Sequence, residues 1–195
     1  MPAPEKASDH AIHPTAIIDD PATPIGAGTR IWHWVHVMPG AIIGDRCSIG
    51  QGCFIGRVRI GDGCRIQNHV SLYDGVILDE DVFVGPSAVF TNVKHPRAHV
   101  SRRDDYDQTH VGQGATIGAN ATVLCGVSIG AYAMIGAGAA VTHDVPAYAV
   151  MVGTPARRVA WACRCGETLP DTRACQRCGD HYDTNGATLT LTLVA

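Results

Sequence analysis

The sequence predicts an all-β solenoid, a triangular prism wound from short strands. Three observations predict it. Large aliphatic residues recur every six positions, as at Ile66, Leu72, Leu78, Val84 and Phe90. Four places after each of the first four stands a small or β-branched residue: Val70, Val76, Val82 and Ala88. Glycine follows many of the aliphatics directly, for example Gly44, Gly50, Gly56 and Gly85. Each unit then reads as a short strand plus a turn. One aliphatic points inward and a small residue packs at the tight corner beside it. Glycine supplies backbone room that a Cβ would obstruct. No unit buries its face alone, so units stack and share a continuous core.

In chain order, residues 1–11 read as a flexible arm. The period starts at Ile12 and Ile18, slips by one residue at Ile25, and continues through Ile31, Val37, Ile43, Ile49 and Ile55. A shortened step leads to Ile60, and the count then runs from Ile66 to Phe90. It stops at Asn92-Val93, where a polar insertion, Lys94 to His110, follows. It resumes at Val111 and proceeds through Ile117, Val123, Ile129 and Ile135 to Val141. Three units per coil give a turn of about 18 residues. Phasing puts Ile31, Ile49, Ile66 and Val84 on one face. Val37, Ile55, Leu72 and Phe90 fall on the next, and Ile43, Ile60 and Leu78 on the third. The insertion therefore leaves at the corner after Phe90. A corner can eject a loop without breaking strand stacking, and functional residues ride on such loops. Cys47, Cys53 and Cys64 occupy small-corner positions and, with Cys125, read as structural.

The bulk composition narrows the function. The chain has 195 residues and a net charge of -3 with 17% charged residues, which gives no nucleic-acid footprint. No apolar stretch approaches the length of a membrane span. Glu5, Lys6 and Asp9 stand where a secretory leader needs an apolar run, so a cytoplasmic location is expected. Eight cysteines in such a chain point to reduced thiols or a metal site. Four of them lie near the C-terminus, as Cys163-Arg-Cys165-Gly and Cys175-Gln-Arg-Cys178-Gly. Two close pairs, each followed by glycine, are the signature of a zinc ribbon, with thiolates wrapping one structural ion. Beyond them, Tyr182 to Thr192 reads as a hairpin with an Asn185-Gly186 turn.

The repeat, an aliphatic followed by Gly and then a small residue, resembles that of the hexapeptide-repeat acyltransferases. The resemblance covers Ile12 to about Val159 and implies a left-handed parallel β-helix. It gives three parts: an arm at 1–11, a β-helix domain at 12–159 with its loop at 94–110, and a zinc-ribbon module at 160–195. More narrowly, five motifs resemble one group of bacterial N-acetyltransferases: Ile12-His13-Pro14, Thr29 to Trp34, Ile66-Gln67-Asn68, Val89 to Val93, and Gly153 to Arg158. That group acetylates the 3-amino group of UDP-2-acetamido-3-amino-2,3-dideoxy-glucuronate, for lipopolysaccharide O-antigen sugars. The resemblance implies acetyl-CoA as cosubstrate, a UDP-amino sugar as acceptor, and a closed homotrimer with coenzyme A in the groove between subunits. Gly136 and Ala137, in a bare late repeat, would lie against the pantetheine arm, and Arg157 and Arg158 would meet the coenzyme phosphates.

Acetyl transfer from a thioester needs a neutral amine held close to the carbonyl carbon, donors for the oxyanion, and an exit for the amine proton. Asn92 is the residue expected to orient the amine, with Asn68 the second candidate. His95, followed by Pro96 on the insertion, resembles the loop histidine that acts as general base elsewhere in the superfamily. The coenzyme thiolate taking the proton is the alternative. His33 shares a corner line with Asn68 and would lie along one groove with it. Trp32 and Trp34 offer stacking area to a uracil ring, or packing between subunits. Arg30, Lys94 and Arg97 are the cations assigned to the anionic substrate, with Tyr73 also assigned to it. O-acetylation or another acyl transfer is the enzyme alternative. A non-catalytic or carbonic-anhydrase-like β-helix is the alternative from another class.

Overall fold

A computed structural model describes residues 10–192. Their strands are mostly two residues long and stack into sheets of nine, seven and five strands, with a separate two-stranded hairpin. The three larger sheets are the faces of a β-helix whose inward positions are those the hexad count selects. On the first face Ile31 pairs with Ile49, Ile49 with Ile66, and Ile66 with Val84. On the second, Leu72 pairs with Ile55 and with Phe90. On the third, Ile43 pairs with Ile60 and Ile60 with Leu78. The late-arriving Ile25 joins the third face through a parallel bridge to Ile43. Val84 pairs with Ile117 and Phe90 with Val123, so the wall continues across the insertion without a break.

The core is one file of side chains along the prism axis. Ile31, Ile49, Ile55, Ile60, Ile66, Leu72, Leu78, Phe90, Ile117, Ile129 and Ile135 are all fully buried. Each such burial stabilises the coil by about 1.5–3 kcal/mol. Corner residues are equally buried, including Cys47, Cys53 and Cys64. Burial pushes the Cys53 thiol up to about 11, so it stays neutral and behaves as a small apolar group.

Two different constraints select the glycines. Gly52 has φ 69, the left-handed corner conformation, which His69 adopts at the same place in the next coil with φ 59. Gly85 is needed for close approach instead, since a Cβ there would lie 2.6 Å from the Ala119 backbone nitrogen. Carboxylate or amide oxygens then tie successive corners. Asp45 accepts from Ala27 N–H at 2.8 Å, Asp62 from Asp45 N–H at 2.9 Å, and Asp74 from Arg57 N–H at 2.8 Å. Inside, Thr29 Oγ1 donates to the Gly44 carbonyl at 2.7 Å and accepts from Cys47 N–H at 2.9 Å.

Two boundaries differ from expectation. Ala11 is already in the wall, since the strand Ala11–Ile12 runs parallel to Arg30–Ile31. Residues 1–9 of the expected arm lie outside the described residues. The insertion ends before His110, because the strand Thr109–Val111 pairs with Val76–Leu78. His110 Nε2 sits 2.9 Å from Asp79 Oδ1 on the outer surface of that face.

At the C-terminal end, Ala149–Val152 extends the first face and Arg157–Trp161 returns antiparallel to it, covering the last edge. The chain then enters a small second core of Cys163, Leu169, Cys175, Tyr182 and Leu189, packed against Tyr148 and Trp161. The hairpin pairs His181–Thr184 with Leu189–Thr192, and Asn185 Oδ1 accepts the N–H groups of Ala187 and Thr188 to close its four-residue turn.

Candidate active site

The insertion leaves the wall at the corner between the second and third faces, and its neck is closed. Asp107 N–H donates to the Asn92 carbonyl at 3.2 Å. Asp107 Oδ2 lies 3.4 Å from Lys94 Nζ. Thr91 Oγ1 accepts Cys125 N–H from the following coil at 3.0 Å. Asn92 is thus held from both sides, half-buried at the base of the loop. His95 is exposed three residues further on. Arg97 bridges to Val100 and turns its guanidinium onto the Pro96 carbonyl at 2.9 Å. With Val93, Pro96, His99 and Tyr106 it lines a loop cleft of about 550 Å³.

Lys94, expected to meet the anionic substrate, forms one side of this clasp with its side chain still half exposed. The contact was hidden from the sequence because thirteen residues separate the partners.

His33 and Asn68 lie on a different edge, between the first and second faces. The His33 carbonyl accepts Gly52 N–H at 2.9 Å, the Gln51 carbonyl accepts His69 N–H at 2.8 Å, and the Asn68 carbonyl accepts Ser87 N–H at 2.9 Å. These bonds confirm the shared corner line. The Asn68 side-chain oxygen accepts Gln51 N–H at 3.0 Å, the same corner tie that Asp45, Asp62 and Asp74 make. That oxygen is therefore already engaged. His33 stacks on His13 with ring centroids 3.6 Å apart, flanked by Trp32 and Trp34. Arg30, Trp32, His13 and Ile12 line a mostly apolar cavity of about 260 Å³, which the sequence marked only through its aromatics and cation. Tyr73 is exposed on the corner after Leu72, with its ring 5.2 Å from Phe54.

Gly136 and Ala137 lie on the same edge as His33, higher along the prism. A Cβ on Gly136 would meet Val152 Cγ1 at 2.9 Å, so its bareness also serves packing. Arg157 and Arg158 line a cavity of about 320 Å³ with Val141, Thr142, His143, Met151 and Ala156. Arg158 stacks on Trp161 at 4.0 Å and donates to the Gly186 carbonyl at 2.7 Å. It therefore joins the hairpin to the cavity that it shares with Arg157. That contact spans 28 residues and has no local sequence signal.

The sulfurs of Cys163, Cys165, Cys175 and Cys178 all lie within 4.8 Å of one another. Cys163 and Cys178 are 3.4 Å apart, and Cys165 and Cys175 are 3.5 Å apart. A tetrahedron with Zn–S near 2.3 Å needs sulfurs roughly 3.8 Å apart, so the arrangement fits a zinc ion.

A hexad β-helix with one corner insertion is the scaffold that carries these residues. Residues 25–57 and 108–143 match the bacterial transferase hexapeptide (six repeats) family. The chain is 42% identical over 173 residues to a dTDP-3-amino-3,6-dideoxy-alpha-D-galactopyranose 3-N-acetyltransferase of Aneurinibacillus thermoaerophilus, covering 88% of this chain and 89% of that one. It is 33% identical over 131 residues to a serine acetyltransferase of Bacillus subtilis, 67% of this chain and 50% of the relative. The fold is shared with the acetyltransferase domain of PglB from Neisseria gonorrhoeae at a TM-score of 0.53, 21% identity, and coverage of 78% and 58%. It is shared also with AntD, an N-acyltransferase from Bacillus cereus, at a TM-score of 0.56, 16% identity, and coverage of 79% and 81%. The chain belongs to the bacterial transferase hexapeptide family and is an N-acetyltransferase.

Proposed function

We propose that the protein transfers the acetyl group of acetyl-CoA to the 3-amino group of a nucleotide-linked amino sugar. The likeness to the Aneurinibacillus 3-N-acetyltransferase along nearly the whole chain carries this reading. The Asn92 corner supplies the chemistry. The amine nitrogen attacks the thioester carbonyl carbon, the carbon–sulfur bond breaks, and the sulfur leaves as thiolate. Asn92 accepts a bond from the amine and aims its lone pair. The amine proton passes to the departing thiolate or to His95. Arg30 and Arg97 meet the diphosphate and any carboxylate, and His33 and Tyr73 lie along the sugar.

The five motifs favour a UDP-linked 3-amino-glucuronate of the lipopolysaccharide O-antigen pathways. The relative's name favours a second acceptor, a dTDP-linked 3-amino-3,6-dideoxyhexose. Mass analysis of products from a panel of UDP- and dTDP-linked 3-amino sugars tests both. N-acetylated product from either class supports the reading, and none from any member overturns it.

The His33 edge and the Asn92 edge stand apart on one chain, so a groove joining them needs a second copy. Exposed Ile17 and half-buried Phe54 on the intervening second face suit such a contact. We assign a closed homotrimer with coenzyme A between neighbours, Arg157, Gly136 and Ala137 along its path. Zinc is the metal we assign to the four-cysteine cluster, as a structural ion with no open position. Metal analysis of freshly reduced protein should find about one zinc per chain, and finding none would remove the assignment. The cosubstrates and the thiol chemistry suit the cytoplasm. Among the described residues no helix is long and apolar enough to cross a membrane.

A further inference from the structure

None of the residues assigned to acetyl transfer lies in the four-cysteine module, yet it is wired into the end of the β-helix. Three sets of contacts make the connection. The first is backbone. Ala162 N–H donates to the Tyr148 carbonyl at 2.7 Å, and Leu169 N–H donates to the Trp161 carbonyl at 2.8 Å. The module is therefore an extension of the strand Arg157–Trp161. The second is aromatic. Tyr132 and Tyr148 stack with ring centroids 5.4 Å apart, and Tyr148 meets Tyr182 edge-on at 5.3 Å. The Tyr182 hydroxyl donates to Cys163 Sγ at 3.2 Å and accepts Arg164 N–H at 2.9 Å. Contact thus passes from a β-helix corner to a sulfur of the cluster. The third is Arg158, which grips the hairpin turn at Gly186 and Ala187 while its guanidinium lies on Trp161.

We propose that the metal-loaded module is a clamp that fixes the strand Arg157–Trp161, and with it the coenzyme end of the groove. Arg157 is the residue that transmits the effect. It begins the clamped strand, and it lines the cavity beside Val141, Thr142 and His143 on the β-helix corner. Among the described residues its strand is the edge of the first face, bonded on one side only, to Ala149–Val152. An edge strand held from one side frays at low cost unless something covers its other end. The cysteine cluster and the Arg158 grip supply that restraint. Metal loading therefore raises affinity for coenzyme A by pre-ordering Arg157, without touching the amino-sugar end of the groove. The coenzyme part of this inference rests on the assignment of Arg157 to coenzyme A.

The test uses the full chain, loaded with zinc or stripped by chelator under reducing conditions. Hydrogen exchange at residues 157–161 reads the clamp, and calorimetric titration reads coenzyme A and nucleotide-sugar binding separately. Stripping should speed exchange at 157–161 while the amides of the Ile49, Ile66 and Val84 coils stay protected. It should weaken coenzyme A about tenfold, leave the nucleotide sugar unchanged, and be reversed by added zinc. Arg158→Ala, which keeps all four thiols, should speed exchange at 157–161 in part with zinc still bound. Unchanged exchange at 157–161 on stripping overturns the clamp. Faster exchange with unchanged coenzyme affinity overturns its coupling to the coenzyme. Arg157→Ala separates the two layers: if it binds coenzyme A like the wild type, the coenzyme assignment of Arg157 fails while the exchange result still decides the clamp.

Discussion

Replacing Lys94 with alanine separates two roles for a cation at the mouth of the insertion. Lys94 Nζ stands 3.4 Å from Asp107 Oδ2, with 52% and 42% of the two side chains exposed. An ion pair that open to water is worth about 0.2–1 kcal/mol. For a chain of this size that lowers Tm by at most about 4 °C. Had Lys94 bound substrate phosphate, its loss would remove a charge-assisted bond of about 1.5–3 kcal/mol, a tenfold or greater rise in KM. The structure predicts the other pattern. Asp107 also holds the Asn92 carbonyl through its N–H at 3.2 Å, so loosening the clasp shows in kcat. Lys94→Ala should lower kcat several-fold, leave KM for the nucleotide sugar within about twofold, and shift Tm only slightly. Asp107→Asn should move kcat in the same direction. Steady-state thiol release across sugar concentrations, with a melting scan, measures all three. A tenfold rise in KM with kcat and Tm unchanged would refute the clasp.

Three further outcomes follow from the same geometry. Asn92→Ala should lower single-turnover acetylation about a hundredfold with Tm nearly unchanged, while His95→Ala at wild-type rate would leave the thiolate as proton acceptor. Thr29→Val removes a hydroxyl that serves two buried backbone groups; at about 1–3 kcal/mol for each orphaned group, Tm should fall by more than about 5 °C. Cys53, held protonated by burial up to about 11, should resist alkylation at pH 8 in the folded protein and react once unfolded; modification of Cys53 in the native state would contradict the packed corner.

The hexad count fixes what depends on side-chain size and spacing. The three faces, the inward file from Ile31 to Val141 and the departure of the insertion after Phe90 all follow from apolar period and small corners. Cys163, Cys165, Cys175 and Cys178 converge as their spacing requires. The features that escaped the count are long-range polar contacts. His110 belongs to the wall because Thr109 to Val111 align with Val76 to Leu78, but a polar outward residue in a three-residue strand resembles loop. Asn68 is engaged in a corner tie whose partner, Gln51, lies one coil away. Lys94 and Arg158 were legible as cations and not as partners of Asp107 and Gly186. Composition reveals a charge, and only the fold reveals what it contacts.

The central claim is acetyl transfer to a sugar amine, and it is tested most directly by matched acceptors. Coenzyme A thiol release is followed with acetyl-CoA and a nucleotide sugar bearing either an amino or a hydroxyl group at carbon 3. The account predicts release with the 3-amino sugar, abolished with the 3-hydroxy partner and strongly reduced in Asn92→Ala. Equal release with both acceptors, or release with neither across UDP and dTDP forms, would contradict it.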